Sequence, residues 1–161
     1  PYERRGGFSP QWVTQVMQSM LFPYWVLFVK SEERLQIALK QIEYVQKELI
    51  PKLTARDFHE LRLAHETRNM ALNMEMKLKT SLLRKESRGA HFREDYPTRV
   101  DPEGLRWIKL QNVDGEMTFT DVPIPKEWWP DLNTPYKERY KRRFPVHING
   151  KHAEASEGVE D

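Results

Sequence analysis

Apolar residues recur at helical spacing along the first part of the chain. The first such stretch begins at Ser9-Pro10, where serine is a favourable N-cap and proline a favourable first helical residue. Pro23 ends or kinks this helix. Its apolar stripe is formed by Trp12, Val13, Val16, Met17, Met20 and Leu21. The segment YWVLFV that follows is apolar on every side, which predicts that it is buried against another surface.

A second helix is predicted between Ser31 and Pro51. Ser31 is its N-cap candidate, and Glu32 and Glu33 stand in the first turn, where the helix dipole favours negative charge. The stripe of this helix is formed by Leu35, Ala38, Leu39, Ile42, Val45 and Leu49.

The third predicted helix is the longest. It starts at Thr54 and Asp57, which resemble a capping box, and it runs to about Lys85, so that it spans roughly 45 Å. Its apolar face is formed by Phe58, Leu61, Ala64, Ala71, Leu72, Leu78 and Leu82. Met70, Met74 and Met76 add adaptable apolar surface beside this face. Gly89 is the residue predicted to end the helix, because glycine accepts the left-handed conformation found there.

The pattern changes after Pro97. Alternating residues on both sides of Asp114-Gly115 predict a β-hairpin with a tight turn. A proline-rich stretch follows, and we expect it to run extended over a surface, anchored by Trp128, Trp129, Tyr136, Tyr140 and Phe144.

These elements predict a mainly α fold. It is a three-helix bundle of the spectrin-like up-down-up type with an appended β-hairpin and an extended C-terminal tail. We assign residues 1–97 to the bundle, 98–125 to the hairpin extension and 126–145 to the proline and aromatic tail. The polar, acidic residues 146–161 are predicted to be disordered.

Composition narrows the possible functions. The net charge of +2 gives no strong field for nucleic acid or an anionic membrane, although the basic, aromatic stretch at 137–144 is a weak candidate for nucleic-acid contact. The absence of cysteine excludes disulfides, thiol catalysis and cysteine-bound iron–sulfur clusters within this chain. The longest apolar run, MLFPYWVLFV, is shorter than the roughly 20 residues of a membrane span, so no membrane insertion is predicted.

Known catalytic and cofactor motifs are missing from the sequence. Neither G-x-G-x-x-G nor G-x-x-x-x-G-K-[ST] occurs, and His59-Glu60 and His65-Glu66 both lack the second histidine of a zinc protease. His65, Arg68, Asn69 and Glu75 fit either a solvated helix face or a buried polar network. We therefore predict no catalytic, cofactor-binding or metal-binding residue in this chain.

The stretch LLRKESRGAHFREDYP carries the densest functional groups. His91, Arg93 and Asp95 alternate, so in an extended segment they share one side, where they fit acid–base catalysis. They equally fit a hydrogen-bonded latch that satisfies the helix end and binds another surface. We favour the latch, and its candidate residues are Arg84, Glu86, Ser87, Arg88, His91, Arg93 and Asp95.

The same stretch also carries a family resemblance. RKESRGAHFREDYP followed by TRVDPEGLRWIK resembles the C-terminal region of fumarate reductase and succinate dehydrogenase flavoprotein subunits, which L-aspartate oxidases share. Upstream, VKSEERLQIALKQIEYVQKEL and HELRLAHETRNMALNMEMKLKTSLLRKESRG are similar to two helices of that domain. The resemblance covers roughly residues 9–110, whereas the WW and KERYKRRFP tail is more similar to uncharacterised members of the superfamily.

The resemblance implies a function for the intact protein. Such proteins bind FAD in an N-terminal domain and close a capping domain over a dicarboxylate, and their catalytic residues lie upstream of the helical domain. The implied partners are the FAD-binding and capping domains of the same protein and an iron–sulfur subunit. The implied location is cytoplasmic. If partner subunits anchor the protein, the implied location is the inner face of the membrane.

Three interpretations therefore stand at this point. The chain is a C-terminal helical domain that is inactive alone, an independent helical protein-protein interaction module, or a small acid–base enzyme. Its start, PYERRGG, favours a segment of a longer protein.

Overall fold

Three helices carry the core, and each packs against the other two. The fold is described from a computed structural model, which covers residues 1–2 and 4–139. The helices of the first part are α1 (Pro10–Leu21), the short α2 (Tyr24–Leu27), α3 (Glu32–Tyr44) and α4 (Phe58–Leu83). A π-helical turn at Val45–Leu49 and a 3₁₀ turn at Ile50–Lys52 prolong α3 to the predicted proline stop.

The core lies between the inner faces of α1, α3 and α4. Most of the apolar residues predicted for α1 and α3 are buried or half-buried there, which confirms these two stripes apart from Trp12. The buried apolar residues are Val13, Met17, Leu21, Leu35, Ala38, Ile42, Val45, Leu49, Leu53, Ala64, Ala71, Met74 and Leu78.

The predicted face of α4 is partly wrong. Phe58 and Leu72 are exposed, with 76% and 45% of their surface accessible, whereas Leu78 is buried. The buried positions of α4 are Glu60, Ala64, Thr67, Ala71, Met74, Leu78 and Ser81. Polar residues occupy three of these seven buried positions. A helix face predicted from apolar residues alone therefore differs from the face that is buried.

The helix starts follow the predicted residues with two corrections. Ser9 caps α1 as expected, its Oγ accepting from the Trp12 N–H at 3.3 Å. Ser31 precedes α3, but its Oγ accepts from Arg34 Nε and not from a backbone N–H. The cap of α4 is Asp57, which accepts from the Glu60 N–H at 2.8 Å, and not the Thr54–Asp57 pair.

The end of α4 also differs from the prediction. The helix stops at Leu83, six residues before Gly89, and Arg84 is its C-cap. Gly89 has a φ of +59° in a tight turn, where the backbones of Arg88 and His91 exchange hydrogen bonds of 2.8 and 3.0 Å. The glycine therefore serves the loop after the helix.

In the part of the chain that the structure describes, four strands form two small sheets. β1 (Val29–Lys30) pairs in parallel with β2 (Phe92–Arg93), so that the loop after α4 lies against the entry to α3. β3 (Arg106–Val113) and β4 (Glu116–Pro123) form the predicted antiparallel hairpin. Its turn has positive φ at Asp114 (52°) and Gly115 (90°), as a type I′ turn requires.

The tail is less extended than predicted. A 3₁₀ turn at Lys126–Trp128 and a helical turn α5 (Tyr136–Arg139) interrupt it. Trp129 is half-buried and donates its Nε1–H to the Ile124 carbonyl at 2.8 Å, which supports its role as an anchor. Trp128 is 65% exposed, and its ring centroid lies 6.0 Å from that of Trp107 in β3. The anchors Tyr140 and Phe144 and the predicted disorder of 146–161 lie outside the described residues.

The predicted fold class is confirmed: the chain is a helical bundle with one appended hairpin. No helix within residues 1–2 and 4–139 is long and apolar enough to cross a membrane.

Candidate docking surface

The charged loop, residues 84–97, folds back on itself directly after α4. Ser87 is at its centre, because its Oγ accepts from the Arg93 N–H at 2.8 Å and donates to the Tyr96 carbonyl at 2.8 Å. Pairing of β2 with β1 then fixes the loop against the start of α3. The sequence LLRKESRGAHFREDYP therefore forms a folded loop whose polar groups bond to one another and to neighbouring parts of the chain.

Arg93 and Asp95 join two helix ends. The Arg93 side chain is fully buried, and its guanidinium donates to both Asp95 oxygens at 2.7 and 2.6 Å and to the Ser81 carbonyl in the last turn of α4 at 2.9 Å. Asp95 Oδ2 also accepts from the Glu32 N–H at 2.9 Å, so this carboxylate caps α3 where Ser31 does not. Hydrogen bonds from Arg93 lower the pKa of Asp95 to about 2.

Glu86 organises the other half of the loop. It is 3% exposed and binds the Arg88 guanidinium in a two-bond pair at 3.0 and 2.9 Å. It also accepts from Arg84 and from the Val100 N–H. Burial alone would raise the pKa of Glu86, but these hydrogen bonds outweigh it and lower the pKa below its ordinary value.

The same half of the loop is joined to the hairpin. Arg88 reaches Asp101, and Arg84 donates to the carbonyls of Gly104 at 3.2 Å and Arg106 at 2.7 Å. A Cβ at Gly104 would lie 2.3 Å from Glu86 Oε2, so a larger residue there would displace this carboxylate from its present position. The charged loop thus connects α3, α4 and β3.

His91 bonds to the backbone at the end of α4 and not to the other two residues of the alternating set. Its Nε2 donates to the Arg84 carbonyl at 3.1 Å, while Arg93 and Asp95 bind each other. Burial lowers the pKa of His91, and this backbone bond only partly opposes the effect. The geometry supports an internal structural role for the seven latch residues and brings no catalytic set together.

A cluster of exposed aromatic rings lies on the same end of the bundle. This aromatic cluster consists of Phe22, Tyr24, Trp25 and Phe28, which are 54%, 59%, 58% and 56% exposed. The described residues of this chain leave Tyr24, Trp25 and Phe28 uncovered, so burial of this segment against another surface stays a prediction. Its sequence signal is the run LFPYWVLF, which is too short for a membrane span and too apolar for an ordinary surface.

The polar residues of α4 line a groove at the other end. Cavities of 400 and 430 Å³ share Gln46, Ile50, His65 and Arg68 as lining residues. Glu75 accepts from Gln46 at 2.8 Å, but His65, Arg68 and Asn69 are exposed, so these residues form a solvated face and not a buried network. No group of three or more metal-ligating side chains occurs in the part of the chain that the structure describes.

The comparisons with known proteins agree with this architecture. The family model described as fumarate reductase flavoprotein C-term matches residues 14–140. An uncharacterised FAD-dependent oxidoreductase of Methanocaldococcus jannaschii is 34% identical over 93 residues, which are 58% of this chain and 17% of that protein. An L-aspartate oxidase of Acinetobacter baylyi is 36% identical over 81 residues, 50% of this chain and 14% of the relative.

Solved structures show the same fold. Adenylylsulfate reductase from Archaeoglobus fulgidus superposes with a TM-score of 0.67 at 30% identity, over 74% of this chain and 20% of that chain. Mycobacterium smegmatis Sdh1 in complex with UQ1 gives a TM-score of 0.70 at 24% identity, over 82% and 23% of the two chains. This chain thus spans about a fifth of the length of the proteins it matches. It belongs to the family of C-terminal domains of fumarate reductase and succinate dehydrogenase-type flavoproteins.

Proposed function

We propose that this chain packs against the FAD-binding and capping domains of its own flavoprotein and contributes no catalytic group. The intact protein is then an FAD-dependent oxidoreductase of the fumarate reductase and succinate dehydrogenase type. The observation that carries the proposal is the internal bonding of the charged loop. Its seven candidate residues bind one another, helix ends and the hairpin, which is the arrangement of a structural connector.

Among the described residues, no glycine-rich loop fits an FAD phosphate. The nearest approach to a glycine-rich phosphate loop is Gly6-Gly7, ahead of α1. A Cβ on Gly7 would meet the Lys52 carbonyl oxygen at 2.3 Å, so the space beside this glycine is filled by the chain's own backbone and not left for a phosphate. We therefore place the FAD site in the remaining part of the protein, which accounts for most of the length of the relatives.

The test is flavin binding and turnover. We expect the purified chain to remain colourless after incubation with FAD and gel filtration, and to reduce no electron acceptor with succinate or L-aspartate as substrate. The intact protein should retain FAD. A stoichiometric yellow complex of the isolated chain would contradict the proposal.

An independent protein-protein interaction module is the second candidate. The aromatic cluster favours it, because exposed rings of this number are typical of a docking surface. The two candidates differ in what lies upstream: a dinucleotide-binding domain in the same polypeptide supports the first and its absence the second. For the first, we also propose an iron–sulfur subunit as electron partner and a cytoplasmic location at the inner face of the membrane.

A further inference from the structure

The aromatic cluster is preorganised for contact. Tyr24 lies 5.4 Å from Trp25 in an edge-to-face arrangement and 5.6 Å from Phe28 in a stacked one. The Arg34 guanidinium is 5.7 Å from the Trp25 ring and donates to the Trp25 carbonyl at 3.1 Å and the Val29 carbonyl at 3.2 Å. Rings that are held in place before binding lose little conformational freedom when a partner covers them.

The cluster is continuous with the charged loop. Arg34, which holds Trp25, also pairs with Glu94 of the loop, and the cluster leads directly into β1, the partner strand of β2. The two features nevertheless face different environments. The cationic and anionic groups of the loop are bonded inside the chain, whereas the four rings are more than half exposed. At this end of the bundle, the four rings are the apolar surface available to a partner. Lys85 and Glu94 are loop charges that also stay exposed, at 57% and 45% of their side chains.

The length of the relatives indicates which part of the protein covers the aromatic cluster. This chain matches 17% of one relative and 20% of a solved structure, and its family is a C-terminal domain. Most of such a protein therefore precedes the matched region and is joined to it at the end where Pro1 binds the Ala55 N–H and Tyr2 stacks on Phe58. A partner tethered in this way has a high effective concentration at any surface that it reaches.

Distance allows the tethered part to reach the cluster. Tyr2 lies at the start of α4, whereas the charged loop and the cluster lie at its far end, and a helix of 26 residues is about 39 Å long. A body of roughly 400 residues has a radius of gyration of about 21 Å and so a diameter of about 55 Å. It is long enough to cover the bundle from the chain entry to the aromatic rings.

We infer that the N-terminal, flavin-binding part of the same polypeptide covers the aromatic cluster, and that the charged loop positions the cluster without itself being the contact. The inference rests on the proposed function. The inference predicts that the covering domain has an apolar patch. Groups that pair with Arg34 and Glu94, whose side chains are 28% and 45% exposed, should border this patch.

Hydroxyl-radical footprinting of the intact, flavin-loaded protein tests the inference without any substitution. The oxidation rate of Trp25 is measured by mass spectrometry against N-acetyltryptophanamide in the same tube. An uncovered Trp25, 58% exposed, should react at about half the rate of the standard, so we expect a rate below one tenth when it is covered. A rate near one half would overturn the inference. Protection that disappears on dilution would overturn it too, because a second copy would then be the cover.

Substitutions provide the second measurement. Trp25→Ser with Phe28→Ser should lower the melting temperature of the intact protein by about 5 °C or more. The matched control is Tyr44→Ser, which removes a ring of 57% exposure at the opposite end of α3 and should lower it by less than half as much. Equal shifts would contradict the inference. If the proposed function is wrong, the intact protein contains no flavin. The oxidation rate of Trp25 is measured independently of the flavin content.

Discussion

Asp95 connects two helix ends through one carboxylate, which accepts from the first backbone N–H of α3 and binds a fully buried arginine attached to the end of α4. Neither contact follows from local sequence. Ser31 is the better cap by residue type and position, yet the loop brings Asp95 from 63 residues away in the chain to the same N–H. Tertiary structure therefore decides this cap, and a search for capping motifs along the sequence does not find it.

Asp95→Asn should lower the free energy of unfolding by about 2 kcal/mol or more, because it weakens a helix cap and leaves the buried Arg93 with the more distant Glu32 carboxylate, 3.6 Å away, as its anion. The matched control is Glu94→Gln, since Glu94 is the more exposed neighbour in a pair with Arg34 and should cost less than about 1 kcal/mol. Urea unfolding followed by circular dichroism gives both values. Equal losses would show that Arg93 is stabilised without Asp95.

The same pair predicts a pH dependence. The pKa of Asp95 is about 2 in the folded chain and near 3.8 when unfolded, so its stabilisation is complete above about pH 4 and is lost as the pH falls towards 2. Hydrogen bonds from Arg56 also lower the pKa of Glu60 to about 2, and its contribution falls in the same window. Unfolding free energies between pH 2 and pH 5 should therefore decrease less steeply in Asp95→Asn than in the unchanged chain. Identical slopes would contradict the assignment.

Lys30 is buried, and the described residues offer little to replace the lost hydration of its charge. It is 4% exposed, and the hydrogen bond that the described residues offer is a long one of 3.4 Å to the Phe28 carbonyl. Burial, with Lys77 and Arg93 nearby, lowers its pKa. Lys30→Met should raise the urea midpoint by the equivalent of about 1 kcal/mol, because a flexible apolar chain replaces an unpaired charge. Lys47→Met, at an exposed position, should stay within roughly 0.5 kcal/mol. A destabilised Lys30→Met would show that the ammonium group has a required partner.

At the scale of elements, α4 shows why an apolar pattern is not sufficient. Its buried positions follow one another at alternating steps of four and three residues, which is the spacing of a single helix face. Thr67 is accommodated on this face because its Oγ1 donates to the Leu63 carbonyl at 2.7 Å, and Glu60 because it accepts from Arg56. An apolar pattern does not mark these polar residues, and it predicted Leu72 on the core face in their place.

Two leucines of α4 test the corrected face. Leu78→Ala should cost about 2–5 kcal/mol of unfolding free energy, because Leu78 is 2% exposed and its removal leaves a cavity. Leu72→Ala makes the same chemical change at a position that is 45% exposed, and it should cost less than about 1 kcal/mol. Equal shifts of the urea midpoint would place both leucines in one environment and contradict the described face.

At the scale of the whole molecule, the sequence predicted the order of elements, the helix faces of α1 and α3 and the hairpin turn, because each depends on neighbouring residues. It did not predict how the charged loop is bonded. The alternation of His91, Arg93 and Asp95 suggested one shared side, but only Phe92–Arg93 is a strand, and the tight turn at Gly89 directs His91 to the Arg84 carbonyl. Contacts between residues 84–106 and α3 depend on the closed bundle and carry no local signal.

The final prediction separates a structural loop from a catalytic one in the intact flavoprotein. Arg88 binds Glu86 through two parallel hydrogen bonds and also reaches Asp101, an arrangement that lysine cannot reproduce. Arg88→Lys and His91→Ala should therefore lower the melting temperature and the fraction of protein that retains FAD. Turnover per bound FAD should fall less than tenfold, below the ~10²–10⁴ expected for a lost general acid or base.

Arg62→Lys is the matched control for this experiment. Arg62 forms an exposed pair with Glu66 one helical turn away, so its replacement keeps the charge and should change neither the melting temperature nor the FAD content measurably. A thousandfold loss of turnover in His91→Ala, at unchanged FAD content and unchanged melting, would make His91 a catalytic residue. A normal melting temperature in Arg88→Lys would show instead that the bidentate contact with Glu86 is not what holds the loop to the hairpin.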